Sequence, residues 1–300
     1  MKANGAKKVR LIDRFKISEK NAPYYLLMPI ITIFVLFMLY PIIDSLILSF
    51  KTFEKGKYFF VGLGNYIALF KDPVFFASLK NTFIYLLVQV PLMIILSLGL
   101  AALLEQKFIR GRGIFRMSIF LPTITALVAY SLVFKLLLNT DFGLINYILN
   151  MVGIENVNWL RSKWPARFSI VMAITWRWVG YNMIIMIAGL QAISEEIYEA
   201  ADVDGASGLQ KFFKITVPSM KHIILFTSIT STIGTLQLFD ESFILTSGGP
   251  DNATITTGHY LYNNGFVFFK FGYAAAISYV LVLIIAILAF IQFKLSEEGE

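Results

Sequence analysis

The segment Ser194-Glu195-Glu196-Ile197-Tyr198-Glu199-Ala200-Ala201-Asp202-Val203-Asp204-Gly205-Ala206-Ser207-Gly208-Leu209-Gln210-Lys211-Phe212-Phe213-Lys214-Ile215-Thr216-Val217-Pro218 decides the fold. Ser194 suits a helix N-cap, and Glu195 and Glu196 follow in the first turn, where the helix dipole favours negative charge. Ile197, Tyr198, Ala201 and Gly205 recur at helical spacing and form one apolar face. Gly205 and Gly208 turn the chain, and Leu209, Phe212 and Phe213 begin a second short apolar face. Pro218 then opens the next element, where its missing N–H costs little. The segment reads as a helix-turn-helix knob whose small-residue turn another protein could approach closely.

The chain around this knob is apolar. Hydrophobic residues make up 57% of the 300 residues and charged residues 15%, against roughly 45–50% and roughly 25% in soluble domains. A soluble core could not hide that much apolar surface, so the chain reads as an all-α, polytopic membrane protein. Most soluble-enzyme readings are thereby excluded. The 28 Phe, 14 Tyr and 4 Trp exclude intrinsic disorder. With no cysteine there is no disulfide scaffold, thiolate chemistry or Cys-based zinc site.

Six stretches reach the length of about 17–25 residues that a bilayer helix needs: 24–44, 83–104, 117–138, 169–190, 222–246 and 273–293. The first is too long for a cleaved signal peptide and is followed by no small-x-small site. An even number of spans puts both termini on one side. With the termini inside, the inner pieces 1–23, 105–116, 191–221 and 294–300 hold 15 Lys/Arg in 73 residues, and the outer pieces hold 9 in 94. That bias predicts cytoplasmic termini. It also explains the +7 net charge without nucleic acid, because Lys2, Lys7, Lys8, Arg10, Arg14, Lys16 and Lys20 form a basic tail over 1–23 on the cytoplasmic face. The six spans then form one domain over 24–293, with a short tail over 294–300. Trp159, Trp164 and Pro165 in the outer segment 139–168 fit an interfacial aromatic anchor.

Two spans are too polar to face lipid alone. The run 222–246 contains Thr227, Ser228, Thr230, Ser231, Thr232 and Thr235, then Gln237, Asp240 and Glu241, and Gly248-Gly249-Pro250 must break it. An ionisable group at bilayer depth costs roughly 2.5–3.5 kcal/mol. Asp240 and Glu241 therefore either line a watery pathway or sit solvated at a helix end. The run 169–190 holds Trp176-Arg177-Trp178-Val179-Gly180-Tyr181-Asn182. Aromatics with a glycine and a hydrogen-bonding side chain suit a sugar ring, whose C–H faces stack on aromatic faces. Arg177 either contacts ligand or bridges Asp240 or Glu241. Gln89 and Pro91 read as a kink with a local polar partner, and Lys135 snorkels outward.

The knob resembles a known family. Glu199-Ala200-Ala201, three residues, Gly205, nine residues, then Ile215-Thr216-Val217-Pro218 is similar to the EAA loop of ABC importer permeases, with Val217 where Leu is usual. Asp204-Gly205-Ala206, Phe239-Asp240 and Leu245-Thr246-Ser247-Gly248-Gly249-Pro250 resemble the carbohydrate branch, represented by the maltose, glycerol-3-phosphate, lactose and raffinose permeases. The resemblance covers nearly the whole chain and implies the six-helix type I (MetI-like) permease fold. It also implies a second homologous permease subunit, two cytoplasmic ATPase subunits that bind the ATP and Mg, and an extracellular sugar-binding protein. The chain itself would need no cofactor. Glu199, Ala200, Ala201, Asp204, Gly205 and Ala206, within the loop 194–218, would dock on the ATPase. Trp178, Gly180, Tyr181, Gln237, Phe239 and Asp240 would line the sugar path. The function implied is ATP-driven, binding-protein-dependent oligosaccharide import by alternating access, in the cytoplasmic membrane.

The residues agree by what they lack. There is no G-x-x-x-x-G-K-[ST] loop, no H-E-x-x-H and no G-x-S-x-G, and His222 and His259 are the chain's two histidines. No catalytic or metal-ligating set emerges, so the chain is expected not to be an enzyme and to draw its power from another polypeptide. The competing reading is an ion-coupled secondary transporter that relays charge through Asp240, Glu241 and Arg177. It leaves the knob unexplained, and no inverted repeat is evident.

Overall fold

Two of the six spans are broken, and the breaks place the polar residues. The computed structural model describes residues 22–106 and 108–297. Residues 1–21, with the seven basic residues of the expected tail, lie outside the described residues, as do Lys107 and 298–300. Four uninterrupted helices are long and apolar enough to cross a bilayer: α1 Ala22–Ser49, then Pro73–Leu104, Lys163–Leu190 and Phe271–Ser296. Two bent pairs, Arg112–Ile124 with Leu127–Leu137 and Lys221–Leu236 with Asp240–Thr246, complete six if each pair is one span.

In chain order, a hairpin of β1 Lys51–Glu54 and β2 Lys57–Phe60 follows α1, pairing Phe53 with Tyr58. It is a small β addition to the expected all-α fold. Then come α2 Gly64–Leu69, α3 Pro73–Leu104, α4 Arg112–Ile124, α5 Leu127–Leu137, α6 Leu144–Met151 and α7 Lys163–Leu190. The knob supplies α8 Glu195–Val203 and α9 Gly208–Lys211. The chain returns through α10 Lys221–Leu236, α11 Asp240–Thr246, α12 Thr257–Tyr262 and α13 Phe271–Glu297.

Helix α3 starts at Pro73, not at 83. Asp72 caps it by accepting from the N–H groups of Val74 (2.8 Å) and Phe75 (3.4 Å), with Pro73 at its first position. The polar residues that disguised this first stretch are buried. Asn81 donates to the carbonyls of Asn252 and Ile255, and Thr82 meets Thr257 at 3.2 Å. The Asp72 carboxylate also accepts from Tyr260 and Tyr273, tying α3, α12 and α13 together. Burial works to raise the Asp72 pKa, but these four hydrogen bonds more than offset it and hold the carboxyl below its usual range. The kink expected at Gln89 and Pro91 does not interrupt α3.

The expected third span, 117–138, is instead bent by 99° after Ile124. The helix runs through Pro122 and ends at Ile124, where Thr125 takes an extended backbone (φ −69°, ψ 136°) before α5 begins. The fifth span bends by 47° at Gln237-Leu238-Phe239. The carbonyl of Leu238 accepts from the Thr256 hydroxyl, so the break is paired by the segment that follows α11. Helix α11 ends at Thr246, with Ser247 at φ 49° and Gly248 at φ 79°, where the glycine run predicts a stop.

Three apolar clusters stack along the bundle. Leu69, Phe75, Ile255, Tyr260 and Ile277 fill the end away from the knob, and Tyr85, Tyr130, Phe134, Ile170, Leu238 and Leu245 fill another. Leu98, Ala101, Leu104, Met183, Met186, Ile187 and Met220 fill the end that carries the knob. Helix α1 buries none of its residues but Ser49, and it meets α13 through Ser45 and Tyr279 at 2.9 Å. Trp159 donates to Asn146 at 2.8 Å and packs on the Tyr85 cluster, so it serves the core more than a headgroup belt.

Gly180, expected along the sugar path, has a packing role instead. A Cβ there would lie 2.0 Å from the carbonyl oxygen of Ile119, so the missing side chain lets α4 and α7 touch backbone to backbone. Overpacking of this kind costs about 1–3 kcal/mol. Gly180→Ala is therefore expected to lower the thermal unfolding midpoint of the detergent-purified protein, and an unchanged midpoint would contradict the close contact.

Candidate functional site

A cavity of about 330 Å³ lies where the broken fifth span meets α7. Helix α7 contributes Ile174, Trp178, Tyr181 and Asn182, and α10 contributes Thr230, Ser231, Gly234 and Thr235. Both sets recur at three- and four-residue spacing, so each lines one helix face. The break itself supplies Gln237, Phe239, Asp240 and Glu241, while Gln89 and Met93 of α3 complete one side. Five of the six residues expected on the path, Trp178, Tyr181, Gln237, Phe239 and Asp240, thus share one cavity, and Gly180 does not.

The lining combines rings with hydrogen-bonding groups. The rings of Trp178 and Tyr181 stand 5.9 Å apart, nearly perpendicular. Phe239 lies 4.7 Å from Tyr262 and 5.2 Å from Phe243 in an aromatic cluster beside the cavity. Thr230 and Thr235 donate to backbone carbonyls of their own helix (2.9 and 2.8 Å), which leaves their oxygens to accept. Asn182 donates to the Trp178 carbonyl at 3.1 Å. Rings beside fixed polar groups suit a neutral, polyhydroxylated ligand. Among the described residues no three His, Asp or Glu side chains converge as a metal site.

The two neighbouring acids differ. Asp240 is half-buried and lines the cavity. Glu241 is 3% exposed and accepts from the Tyr130 hydroxyl, so it is no solvated helix end. Arg177 forms no salt bridge among the described residues, contrary to the bridge weighed for it. Its guanidinium lies 4.7 Å over the Tyr130 ring and 5.4 Å from the Trp178 ring. A desolvated cation–π contact is worth about 2 kcal/mol, and Tyr130 joins Arg177 to Glu241 in one buried group.

The knob forms as its sequence predicts, with one residue turned inward. Ser194 accepts from the Glu196 N–H at 3.3 Å to start α8. The helix closes in a Schellman turn: Gly205 N–H donates to Asp202 (3.1 Å) and Ala206 N–H to Ala201 (2.9 Å), with Gly205 at φ +74°. Side chains pay about 1–2 kcal/mol in that left-handed region, and a Cβ on Gly205 would meet nothing within 4 Å. Ser207 and Gln210 then form a reciprocal capping box that starts α9. Glu199, Ala200, Asp204 and Gly205 are exposed and Ala206 is partly so, but Ala201 is buried. Val203, Leu209 and Phe213 add exposed apolar surface.

The knob is fixed to the bundle. Phe212, Val217 and Ile193 pack on the cluster around Met220, and Tyr198 meets Thr216 at 2.8 Å. Lys211 pairs with Asp202 at 2.6 Å. Glu105 pairs with Arg116 and also accepts from Gln191 at 3.3 Å, linking the knob's start to α4. Sequence reasoning missed Gln89, read only as a kink partner, and Tyr130 and Met93, which carry no local signal. Only the folded chain brings Gln89 and Met93 to the cavity and sets Tyr130 against the lining residue Glu241.

Comparison with known proteins agrees with this architecture. Residues 21–296 match the family model described as binding-protein-dependent transport system inner membrane component. The chain is 48% identical to the lactose transport system permease protein of Rhizobium radiobacter over 275 residues, 90% of this chain and 92% of that protein. It is 37% identical to the arabinooligosaccharides transport system permease protein of Halalkalibacterium halodurans, covering 97% and 92%. Identity to the trehalose/maltose transport system permease protein of Thermococcus litoralis is 34%, covering 91% and 94%. The fold matches a chain in the crystal structure of a bacterial ABC transporter involved in alginate import, with a TM-score of 0.81 at 22% identity, covering 94% and 97%. The chain therefore belongs to the binding-protein-dependent transport system inner membrane component family, as a multi-pass membrane permease and not an enzyme.

Proposed function

We propose that this protein is one of two permease subunits of an ATP-driven importer that receives an oligosaccharide from an extracytoplasmic binding protein. The knob faces the cytoplasm, as do both termini, in keeping with the excess of basic residues in the loops on that side. Two ATPase subunits dock beneath the permease pair and hold the ATP and Mg. The saccharide class is supported by the names of the relatives and by the ring-and-hydroxyl lining of the cavity.

The observation that carries this reading is the exposed Gly205 bend, with open space where its Cβ would be. The knob joins the end of α7 to the start of α10, and those helices supply half of the residues that line the cavity. A push or pull on α8 acts directly on both. ATP-driven closure of the ATPase pair moves the knobs of both permeases, and the cavity opens outward, takes the sugar, then reopens inward after hydrolysis. Bending is already built into the fifth span at Gln237–Phe239, where the wall can change angle without breaking a regular helix.

Gly205→Asn tests the docking role. Asparagine tolerates the left-handed backbone, so the turn persists while a side chain enters the open space. Sugar-stimulated ATPase activity of the assembled transporter is expected to fall at least about 10-fold, equivalent to about 1.4 kcal/mol of coupling, with membrane insertion unchanged. Normal stimulation would remove the bend from the mechanism. Asp240→Ala is expected to weaken sugar uptake while leaving the ATPase bound, and wild-type uptake would take Asp240 off the path. The buried Glu241–Tyr130–Arg177 group is what favours ion coupling as a second reading. Uptake that collapses with an uncoupler while ATP is held high would support that reading, and persistent uptake is the expected result.

A further inference from the structure

Gln89 keeps hydrogen-bonding capacity that the protein leaves unused at the cavity wall. Its side chain is 1% exposed and lines the cavity from α3. The Thr175 hydroxyl lies 3.2 Å from Oε1, and Nε2 has no partner. Thr175 also reaches the Val171 carbonyl at 2.7 Å. A hydroxyl has one proton to give, and a carboxamide has two donors and two acceptor lone pairs. Thr175 can therefore satisfy only one side of the amide. Burying the remainder is costly unless another group completes it. One turn further on, Met93 lines the same cavity at no such cost.

We propose that Gln89 reads a hydroxyl pair of the saccharide in the cavity, with Thr175 as the residue that orients it. This rests on the oligosaccharide-importer reading above. Asn182 and Gln237 are carboxamides in the same lining, but among the described lining residues it is Gln89 that holds a buried polar atom without a partner. Asp240 as a carboxylate only accepts, and the protons of Thr230 and Thr235 are committed to their own helix. Gln89 offers N–H donors and a carbonyl acceptor on one rigid plane, which matches two adjacent sugar hydroxyls that each give one bond and take another. Trp178 and Tyr181 would hold the C–H face of the ring, and Gln89 would select the hydroxyl pattern. Gln89 is thus a specificity residue on α3, a helix that the Trp178 and Phe239 stretches do not involve.

The test uses the whole transporter in vesicles, with its second permease, ATPase and binding protein. The probe is whichever of lactose, an arabinooligosaccharide or trehalose the wild-type complex takes up, together with its singly deoxygenated derivatives. Wild type should disfavour at least one derivative by about 10-fold in uptake, the factor one hydrogen bond supplies. Gln89→Met should reduce that one discrimination to within about 2-fold and leave the others as they were, and Thr175→Val should give an intermediate value. Equal slowing of every derivative by Gln89→Met would make Gln89 a packing residue and overturn the proposal, as would wild-type discrimination in that variant. Failure of the wild-type complex to take up any of the three sugars would sink the oligosaccharide reading itself, and this assignment with it.

Discussion

Apolar packing at the base of the knob fixes it to the bundle. Phe212, Val217 and Ile193 lie against Met220, Met183 and Ile187, so the knob, the end of α7 and the start of α10 share one apolar cluster. Fully burying a side chain of this kind is worth about 1.5–3 kcal/mol. A loop without such contacts would swing freely and pass no force to the bundle. The polar contacts around it, Tyr198 with Thr216 and Gln191 with Glu105, fix its angle more than its stability.

The cavity depends on a different device. Membrane helices satisfy their own backbone groups, so a break inside a span needs outside partners. The break at Gln237–Phe239 has one in Thr256, which donates to the Leu238 carbonyl. Asn81 in turn holds the segment carrying Thr256, through its hydrogen bonds to Asn252 and Ile255. The wall of the cavity is therefore braced from the end opposite the knob. The bend at Gln237–Phe239 thus lies between the cluster at the knob's base and this brace, with the buried Tyr130–Glu241 contact beside it.

The knob was legible because its signals are local: Ser194 as cap, Gly205 at a positive φ and Pro218 at a helix start are each set by neighbours in sequence. Much of the cavity was legible too, since Trp178, Tyr181, Gln237 and Asp240 are conspicuous in an apolar span. What the sequence hid has a physical reason. The first turns of α3 carry Asn81 and Thr82, which look like a loop until their partners Asn252, Ile255 and Thr257 are known. The bend in the third span has no local signal, because Pro122 lies inside α4 as Pro91 lies inside α3, and the helix stops only at the extended Thr125. Gly180 sat among sugar-binding residue types and serves the contact with Ile119 instead. Gln89 showed its polarity but not its unfilled valences, which exist only once α3 lies beside α7.

On the function proposed above, an ATPase on another polypeptide grips the bend from the cytoplasm. The chain has no cysteine, and Val203 beside the bend is 88% exposed, so Val203→Cys creates a unique thiol at the proposed contact. A membrane-impermeant maleimide should label it in inside-out vesicles stripped of the ATPase, and readdition of the ATPase should protect it. Labelling in intact cells, or labelling in the vesicles that the ATPase does not reduce, would contradict the account.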